Sequence, residues 1–119
     1  MNGSNILVVG LAYKPDVDDM RESPTFHIMD LLEKYGAEVS YYDEYIPKIK
    51  PTREHDHWTG TQSIHWDEET IKQFDAALII TNHSHINYKE LRDWSSIIVD
   101  TRNAMKGIRE RHKDQIWKA

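Results

Sequence analysis

The sequence predicts a single α/β domain, residues 1–119, in which a mainly parallel sheet is covered by helices on both faces. Short apolar runs rich in β-branched residues recur along the chain, as in strands that are buried on both faces. Segments with helical periodicity stand between these runs, and such alternation is typical of parallel sheets. A chain of 119 residues is long enough for one domain with a modest hydrophobic core.

The first strand and the first helix have the clearest signals. Residues 5–10 form an apolar run that ends in glycine. Ser23 and Pro24 then combine an N-cap with proline at the first helical position. Gly36 is positioned to end this helix. Large side chains at helical spacing are expected to face the core: Ile28, Leu31, Leu32 and Tyr35.

The middle of the chain predicts a strand, a surface loop and a short helix. Residues 37–42 form the second strand, which is followed by Asp43. Residues 44–60 are polar, with two prolines and several charges, and predict a surface loop. Residues 62–66 are a candidate short strand. Residues 67–74 predict a brief helix capped by its first aspartate, with two glutamates at its positive end.

The last third of the chain predicts two further strands. Residues 76–81 form another buried strand, and residues 96–100 form the next one. Between them, residues 87–94 predict a helix whose asparagine and following glutamate have capping-box spacing. We interpret residues 107–119 as a frayed helix.

Composition and charge exclude several classes of function. A net charge of −5 disfavours nucleic acids and anionic membranes as partners. The absence of cysteine excludes disulfides, thiolate metal sites and a cysteine nucleophile within this chain. Apolar runs of about six residues are too short to span a bilayer, and the N-terminus lacks a signal-peptide pattern, so we expect a cytoplasmic protein.

Three loops are the candidates for ligand binding. Ligands in open α/β sheets bind beyond the carboxyl ends of the strands, which selects residues 10–23, 81–87 and 100–106. The first loop has one glycine and about a dozen residues before its helix, so the G-x-G-x-x-G turn of ordinary NAD binding is missing. Asp43 stands where such folds place a ribose-binding acid, or it simply ends its strand.

The first and last of these loops carry fixed cations. Lys14 and Arg21 lie among four carboxylates in the first loop, which is longer than usual for its type. Arg102 leaves the last strand at the same edge. Cations that converge there suit an anion such as a pyrophosphate. The alternatives are a solvated charged loop for the first two and a structural ion pair for Arg102.

Four sequence blocks carry a family resemblance. They are residues 10–24, with A-Y-K and D-M-R-E-S-P elements, residues 42–47, residues 75–84 and residues 99–103. Together and in this order, they resemble the C-terminal domain of UDP-glucose/GDP-mannose dehydrogenases. The sequences of residues 18–21 and 100–104 most resemble those of bacterial UDP-N-acetylhexosamine (UDP-GlcNAc or UDP-ManNAc) 6-dehydrogenases.

The resemblance implies a Rossmann-like three-layer sandwich that binds the UDP moiety of a UDP-sugar. It implies that Lys14 and Arg102 contact UDP, that Tyr13 packs beside it, and that Arg21 reaches across an interdomain cleft towards NAD. Enzymes of this family oxidise C6 of the sugar to a carboxylate in two NAD-dependent steps, through a cysteine. They hold NAD mainly in an N-terminal domain, contain a central helical region, and are expected to be homo-oligomers.

This chain lacks the catalytic cysteine, the glycine-rich turn and the central helices, so we expect it to be inactive without the remainder of the dehydrogenase. Two other interpretations stay open at this point. One is a stand-alone nucleotide-binding or regulatory module with a Rossmann-like fold. The other is a structural role, in which the domain mainly supports homodimer contacts.

Histidines and tryptophans offer weaker signals. A metal site is disfavoured because strong zinc patterns need three or four ligands, and solvated loop histidines are the favoured interpretation. The histidine pairs with chelating spacing are His55 with His57, and His83 with His85. Trp94 is expected in the core, whereas Trp58 and Trp117 are candidates for interfaces with the rest of an enzyme.

Overall fold

A computed structural model describes residues 3–12, 24–51 and 56–119 and contains one five-stranded sheet. The strand order is β2-β1-β3-β4-β5, and every neighbouring pair is parallel. The elements in chain order are β1 (Asn5–Val9), α1 (Pro24–Lys34), β2 (Glu38–Tyr42), a 3-10 helix (Asp56–Trp58), α2 (Glu68–Ile71), β3 (Ala76–Ile79), α3 (Tyr88–Trp94), β4 (Ile98–Asp100) and β5 (Ile116–Lys118). The predicted α/β class, with a Rossmann-like parallel sheet, is confirmed.

The sheet has a hydrophobic core on each face, because successive side chains of a strand point to opposite faces. In β1, Val8 packs on the side of α1, together with Phe26 and Met29. Leu7 and Val9 point to the other side, where α2 and α3 contribute the apolar residues Ile71 and Leu91. These two cores make the molecule a three-layer sandwich, as predicted.

Helix α1 buries a stripe that agrees only in part with the one that its spacing predicted. Ile28 and Leu32 are partly buried against the core, as predicted, but the fully buried apolar residues are Phe26 and Met29. Leu31 and Tyr35 are instead 40% and 63% exposed. Apolar residues lie around more of this helix than the sheet can bury, so sequence spacing identified the buried stripe only in part. The predicted N-cap, Ser23, lies outside the described residues.

The segment predicted as a polar surface loop, residues 44–60, contributes to the core. Ile46, Ile49 and Trp58 are buried against α1 and the sheet. The Tyr41 hydroxyl donates to the carbonyl of Ile46 at 2.7 Å, and the indole Nε1 of Trp58 donates to Asp30 at 2.6 Å. The prediction for Trp58 as an interface residue was therefore wrong. Its ring belongs to the core of this domain.

Helix caps were predicted more accurately than element lengths. Asp67 caps α2 by accepting from the Thr70 amide at 2.8 Å, although this helix ends at Ile71 rather than at residue 74. Asn87 caps α3 by accepting from the amides of the second and third helical residues, at 3.1 and 3.2 Å. The candidate strand at 62–66 is reduced to one antiparallel bridge, which joins Gln62 to Lys48.

The C-terminal segment, residues 107–119, consists of turns followed by the short strand β5, so its prediction as a helix was wrong. Strand β5 adds in parallel to β4, with Ile116 opposite Ile98. Just before it, the buried Gln115 side chain donates to the carbonyls of Arg92 at 2.6 Å and Ser95 at 2.8 Å. These long-range bonds favour a strand that local polarity did not indicate. In the described parts of the chain, no helix is long and apolar enough to cross a membrane.

Candidate functional site

The strand order places the expected ligand edge between β1 and β3. The chain leaves β1 towards β2 and later returns to the opposite side of β1 as β3, and such a reversal opens a crevice at the carboxyl ends of the strands. Gly10 follows β1 at this point with a φ of +95°. A Cβ atom there would stand 2.4 Å from the carbonyl oxygen of Thr81, which follows β3. Glycine therefore permits the two loops to touch.

Asp43, at the carboxyl end of β2, is fully buried and points into the protein. Its Oδ2 accepts hydrogen bonds from the amides of Leu11 and Ala12, at 2.7 and 2.9 Å. Its Oδ1 accepts from the amide of Tyr45 at 2.9 Å. Asp43 thus does more than end a strand, and its oxygens hold the loop that leaves β1.

His83 completes the environment of this carboxylate. Its Nε2 lies 2.9 Å from Oδ2 of Asp43, and both side chains are fully buried. Because the carboxylate can only accept, Nε2 carries a hydrogen. Burial alone would raise the pKa of Asp43, but the hydrogen bonds from His83, Leu11 and Ala12 outweigh it and lower that pKa. The interpretation of His83 as a solvated loop histidine was wrong.

The other histidines have separate surroundings. His85 lies nearer the surface and its Nε2 contacts Glu44 at 2.6 Å, while the Tyr45 ring lies 5.3 Å from the His85 ring. His57 is exposed and pairs with Glu33 at 2.8 Å, and His55 lies outside the described residues. Within the ranges that the structure describes, no three histidine or acidic residues are placed to hold a metal ion.

The first loop is held at its start from two further sides. The Thr81 hydroxyl donates to the carbonyl of Ala12 at 2.7 Å, and the Thr25 hydroxyl donates to the carbonyl of Gly10 at 3.5 Å. Residues 10–12 are therefore connected to β2, to α1 and to the loop after β3. The predicted binding residues that follow, Tyr13, Lys14 and Arg21, lie outside the described residues, and their roles remain predictions.

Arg102 lies at the same edge, in the loop that follows β4. Its Nε donates to the carbonyl of Ile80 at 2.7 Å, so the guanidinium extends towards the end of β3. The loop is shaped by Asp100, which is buried and accepts from the amides of Arg102, Ala104 and Met105 at 3.0, 3.0 and 2.8 Å. Arg102 thus lies at the carboxyl edge of the sheet, and its contact with UDP remains a prediction.

A cavity of about 570 Å³ opens beside Arg102. Its lining includes Thr101, Asn103 and Lys118, and Lys118 adds a second cation to the wall. The sequence did not point to Lys118 because its segment was taken for a frayed helix. The sequence did contain one indication that Asp43 and Asp100 have a role at this edge. Each is an aspartate at the carboxyl end of a predicted strand.

Comparison with known proteins gives the ligand class of this family. Residues 7–107 match the model of the UDP-glucose/GDP-mannose dehydrogenase family, UDP binding domain. A UDP-N-acetyl-D-mannosamine dehydrogenase of Methanococcus aeolicus is 33% identical over 90 residues, which cover 76% of this chain and 18% of that relative. A UDP-glucose 6-dehydrogenase of Rhizobium meliloti is 30% identical over 124 residues, covering 99% of this chain and 26% of that relative.

Solved structures agree with this assignment. The UDP-N-acetyl-mannosamine dehydrogenase Cap5O from S. aureus superimposes with a TM-score of 0.67 at 28% identity, over 99% of this chain and 27% of that protein. The chain thus spans about a quarter of the length of such dehydrogenases. Since the family match covers most of the sequence, the chain belongs to the UDP-glucose/GDP-mannose dehydrogenase family and corresponds to its UDP binding domain.

Proposed function

We propose that this domain binds the UDP portion of a UDP-sugar and forms one wall of the active-site cleft of an NAD-dependent UDP-sugar 6-dehydrogenase. The observation that carries the proposal is the placement of Arg102. Its guanidinium is tied to the end of β3, at the edge where the strand order reverses. Lys14 and Tyr13, on the loop after β1, complete the proposed UDP contacts. Membership of the UDP binding domain family supports the choice of nucleotide.

The chemistry of the proposed site is neutralisation of a pyrophosphate. An arginine presents a planar set of donors to phosphate oxygens, and a lysine adds a point charge. Binding energy gained at UDP, far from the reacting carbon, would hold C6 of the sugar near the reactive groups of the rest of the enzyme. Lys118 adds positive charge to the same wall.

The described residues do not fit NAD in the ordinary dinucleotide mode. The acid at the end of β2, Asp43, uses both of its oxygens on protein donors. The turn after β1 has one glycine in place of three. We therefore propose that NAD is held by another domain of a homo-oligomeric cytoplasmic dehydrogenase, and that Arg21 contacts it across the cleft. NAD supplies the hydride acceptor in that enzyme.

An NMR titration of the 119-residue chain with UDP, with NAD and with a UDP-N-acetylhexosamine tests the proposal. We expect UDP and the UDP-sugar to bind with a Kd of about 0.1–1 mM, as suits half of a site. Shifts should cluster at residues 12–21 and 100–104. Arg102→Ala should weaken UDP binding about tenfold or more, since it removes a charge-assisted contact. Arg109→Ala, which removes an exposed arginine outside the proposed site, is the charge-matched control.

Two outcomes would contradict this function. Equal UDP affinities for the Arg102→Ala and Arg109→Ala variants would remove Arg102 from the site. Shifts with NAD but not with UDP would identify the domain as a dinucleotide-binding module instead.

A further inference from the structure

The ends of three strands meet at one buried carboxylate. Asp43 follows β2, its partners Leu11 and Ala12 follow β1, and its partner His83 follows β3. This group of residues spans the point where strand order reverses. Both Asp43 and His83 are completely shielded from solvent, so neither side chain is itself presented to a ligand.

Burial of a carboxylate has a large free-energy cost unless donors surround it. Asp43 has four hydrogen-bond donors, at distances of 2.7 to 2.9 Å from its carboxylate oxygens. They are the amides of Leu11, Ala12 and Tyr45, and Nε2 of His83. Two of these donors belong to consecutive residues of one loop. A carboxylate that accepts from consecutive amides fixes the backbone direction of that segment.

The fixed segment stands immediately before the proposed UDP contacts. Ala12 is held at its amide by Asp43 and at its carbonyl by the Thr81 hydroxyl, at 2.9 and 2.7 Å. Tyr13 and Lys14 are the next two residues in the chain. The backbone is therefore fixed on both sides of Ala12, directly before the proposed UDP contacts in the chain.

We infer that Asp43 and His83 are positioning residues for UDP binding: they fix the backbone of Leu11 and Ala12, the residues that immediately precede the proposed UDP contacts in the chain. This inference rests on the proposed function. It also explains what became of the acid that dinucleotide-binding folds place after their second strand. Here that acid faces inward and holds a loop, so its oxygens are not available to bind a ribose.

Asp43→Asn in the 119-residue chain tests the inference, with Asp75→Asn as the matched control. Asp75 makes the same kind of bond, accepting from the Asn5 amide at 2.7 Å, but at the opposite edge of the sheet. We expect Asp43→Asn to weaken UDP binding about tenfold, because it loses charge-assisted bonds to the loop. Asp75→Asn should bind UDP like the wild type. Hydrogen exchange at the Leu11 and Ala12 amides should accelerate in Asp43→Asn alone.

Two variants of His83 provide a second test that does not depend on Asp43→Asn being folded. The Nε2 of glutamine can occupy the place of the histidine Nε2 and keep the donor to Asp43. His83→Gln should therefore retain UDP affinity within about threefold, whereas His83→Leu should lose about tenfold, as expected for one bond to a charged group. A loss of affinity that is equal in both variants would show that volume, and not the donor, matters, and would overturn the inference.

The failure of this inference is distinguishable from failure of the proposed function. Unchanged exchange at Leu11 and Ala12 in Asp43→Asn overturns the inference whatever UDP does. Faster exchange with unchanged UDP affinity also overturns it, and leaves the proposed function standing. A wild-type chain that does not bind UDP contradicts the proposed function and the inference together.

Discussion

The two edges of the sheet use the same kind of bond in different surroundings. At the carboxyl edge, Asp43 and Asp100 are buried and each accepts from three or more donors. At the amino edge, Asp75 is exposed and accepts from one amide, that of Asn5. A buried carboxylate is stable only with its full set of donors, so it constrains its loop strongly. This molecule places such constraints where the ligand is proposed to bind.

Gly10 and Gly3 flank β1 at opposite edges of the sheet. Replacing each with alanine should give the largest difference in the free energy of unfolding between the two edges. Both have positive φ, +95° and +80°. At Gly10 the new Cβ would also meet the backbone of Thr81 at 2.4 Å. Among the described residues other than its chain neighbours, no heavy atom lies within 4 Å of the Cβ position at Gly3. We expect Gly10→Ala to lower the free energy of unfolding by about 3 kcal/mol or more, from strain and overpacking together.

Gly3→Ala should cost about 1 kcal/mol, because it adds backbone strain without a clash. Urea denaturation of both variants and the wild type, with equal m-values required, measures the two losses. Comparable losses at the two glycines would show that φ alone, and not the contact with the Thr81 loop, fixes Gly10.

The next largest difference in stability is expected between Asp100→Asn and Asp75→Asn. Asp100 accepts three amides of the loop that carries Arg102, and an amide group in its place presents donors to donors. We expect Asp100→Asn to destabilise the fold by about 2–3 kcal/mol, the cost of leaving buried donors unsatisfied. Asp75→Asn should cost less than about 1 kcal/mol, since water can replace an exposed bond. Thermal or urea unfolding measures both, and equal losses would contradict a role for burial.

Strands and helix caps could be predicted from the sequence because their signals are local. The run at residues 5–10 and the caps Asp67 and Asn87 needed only neighbouring residues to be recognised. The bond between Asp43 and His83 joins positions 40 residues apart, and no local pattern indicates it. Strand β5 was missed for the same reason, since its stability depends on pairing with β4.

The candidate site was predicted by a rule about topology and by family resemblance. The carboxyl-edge rule placed Arg102 at the carboxyl edge, because alternation of strands and helices predicts parallel strands whose carboxyl ends share one edge. Neither source indicated that Asp43 faces inward, because that orientation depends on amides that the loop after β1 brings to it. The direction of a side chain at a strand end is decided by tertiary contacts, which the sequence alone does not display.

Acid should distinguish the two kinds of aspartate by how much stability each contributes, because the pKa values of both are lowered. Burial would raise the pKa of Asp43, but its hydrogen bonds lower it below the ordinary 3.8; at the exposed cap Asp67, the bonds from Thr70 lower the pKa as well. A lowered folded-state pKa contributes stability that is complete above the unfolded value and is lost as the pH falls through the folded value. Stability should therefore decline below about pH 4.

The Asp43→Asn variant should lose less stability than the wild type when the pH falls from 5 to about 2, because the group that must take up a proton is gone. Asp67→Asn should show the same change in direction but to a smaller extent, since its carboxylate is exposed to solvent. Urea denaturation at several pH values gives the slope of the free energy of unfolding against pH for each variant. If Asp43→Asn had the same slope as the wild type, this buried carboxylate would not be the source of the acid sensitivity.

The smallest expected loss of stability tests whether burial, or location at the carboxyl edge, determines how strongly a polar side chain holds its loop. Asn87 caps α3, whose N-terminus lies at that edge because the helix returns the chain from the end of β3 to the start of β4. Its side chain is exposed and accepts from two helix amides. We expect Asn87→Ala to cost about 1 kcal/mol and Asn87→Ser only a few tenths, as for other N-caps. If Asn87→Ala costs as much as Asp100→Asn, then location at the ligand edge, and not burial, determines how strongly a polar side chain holds its loop.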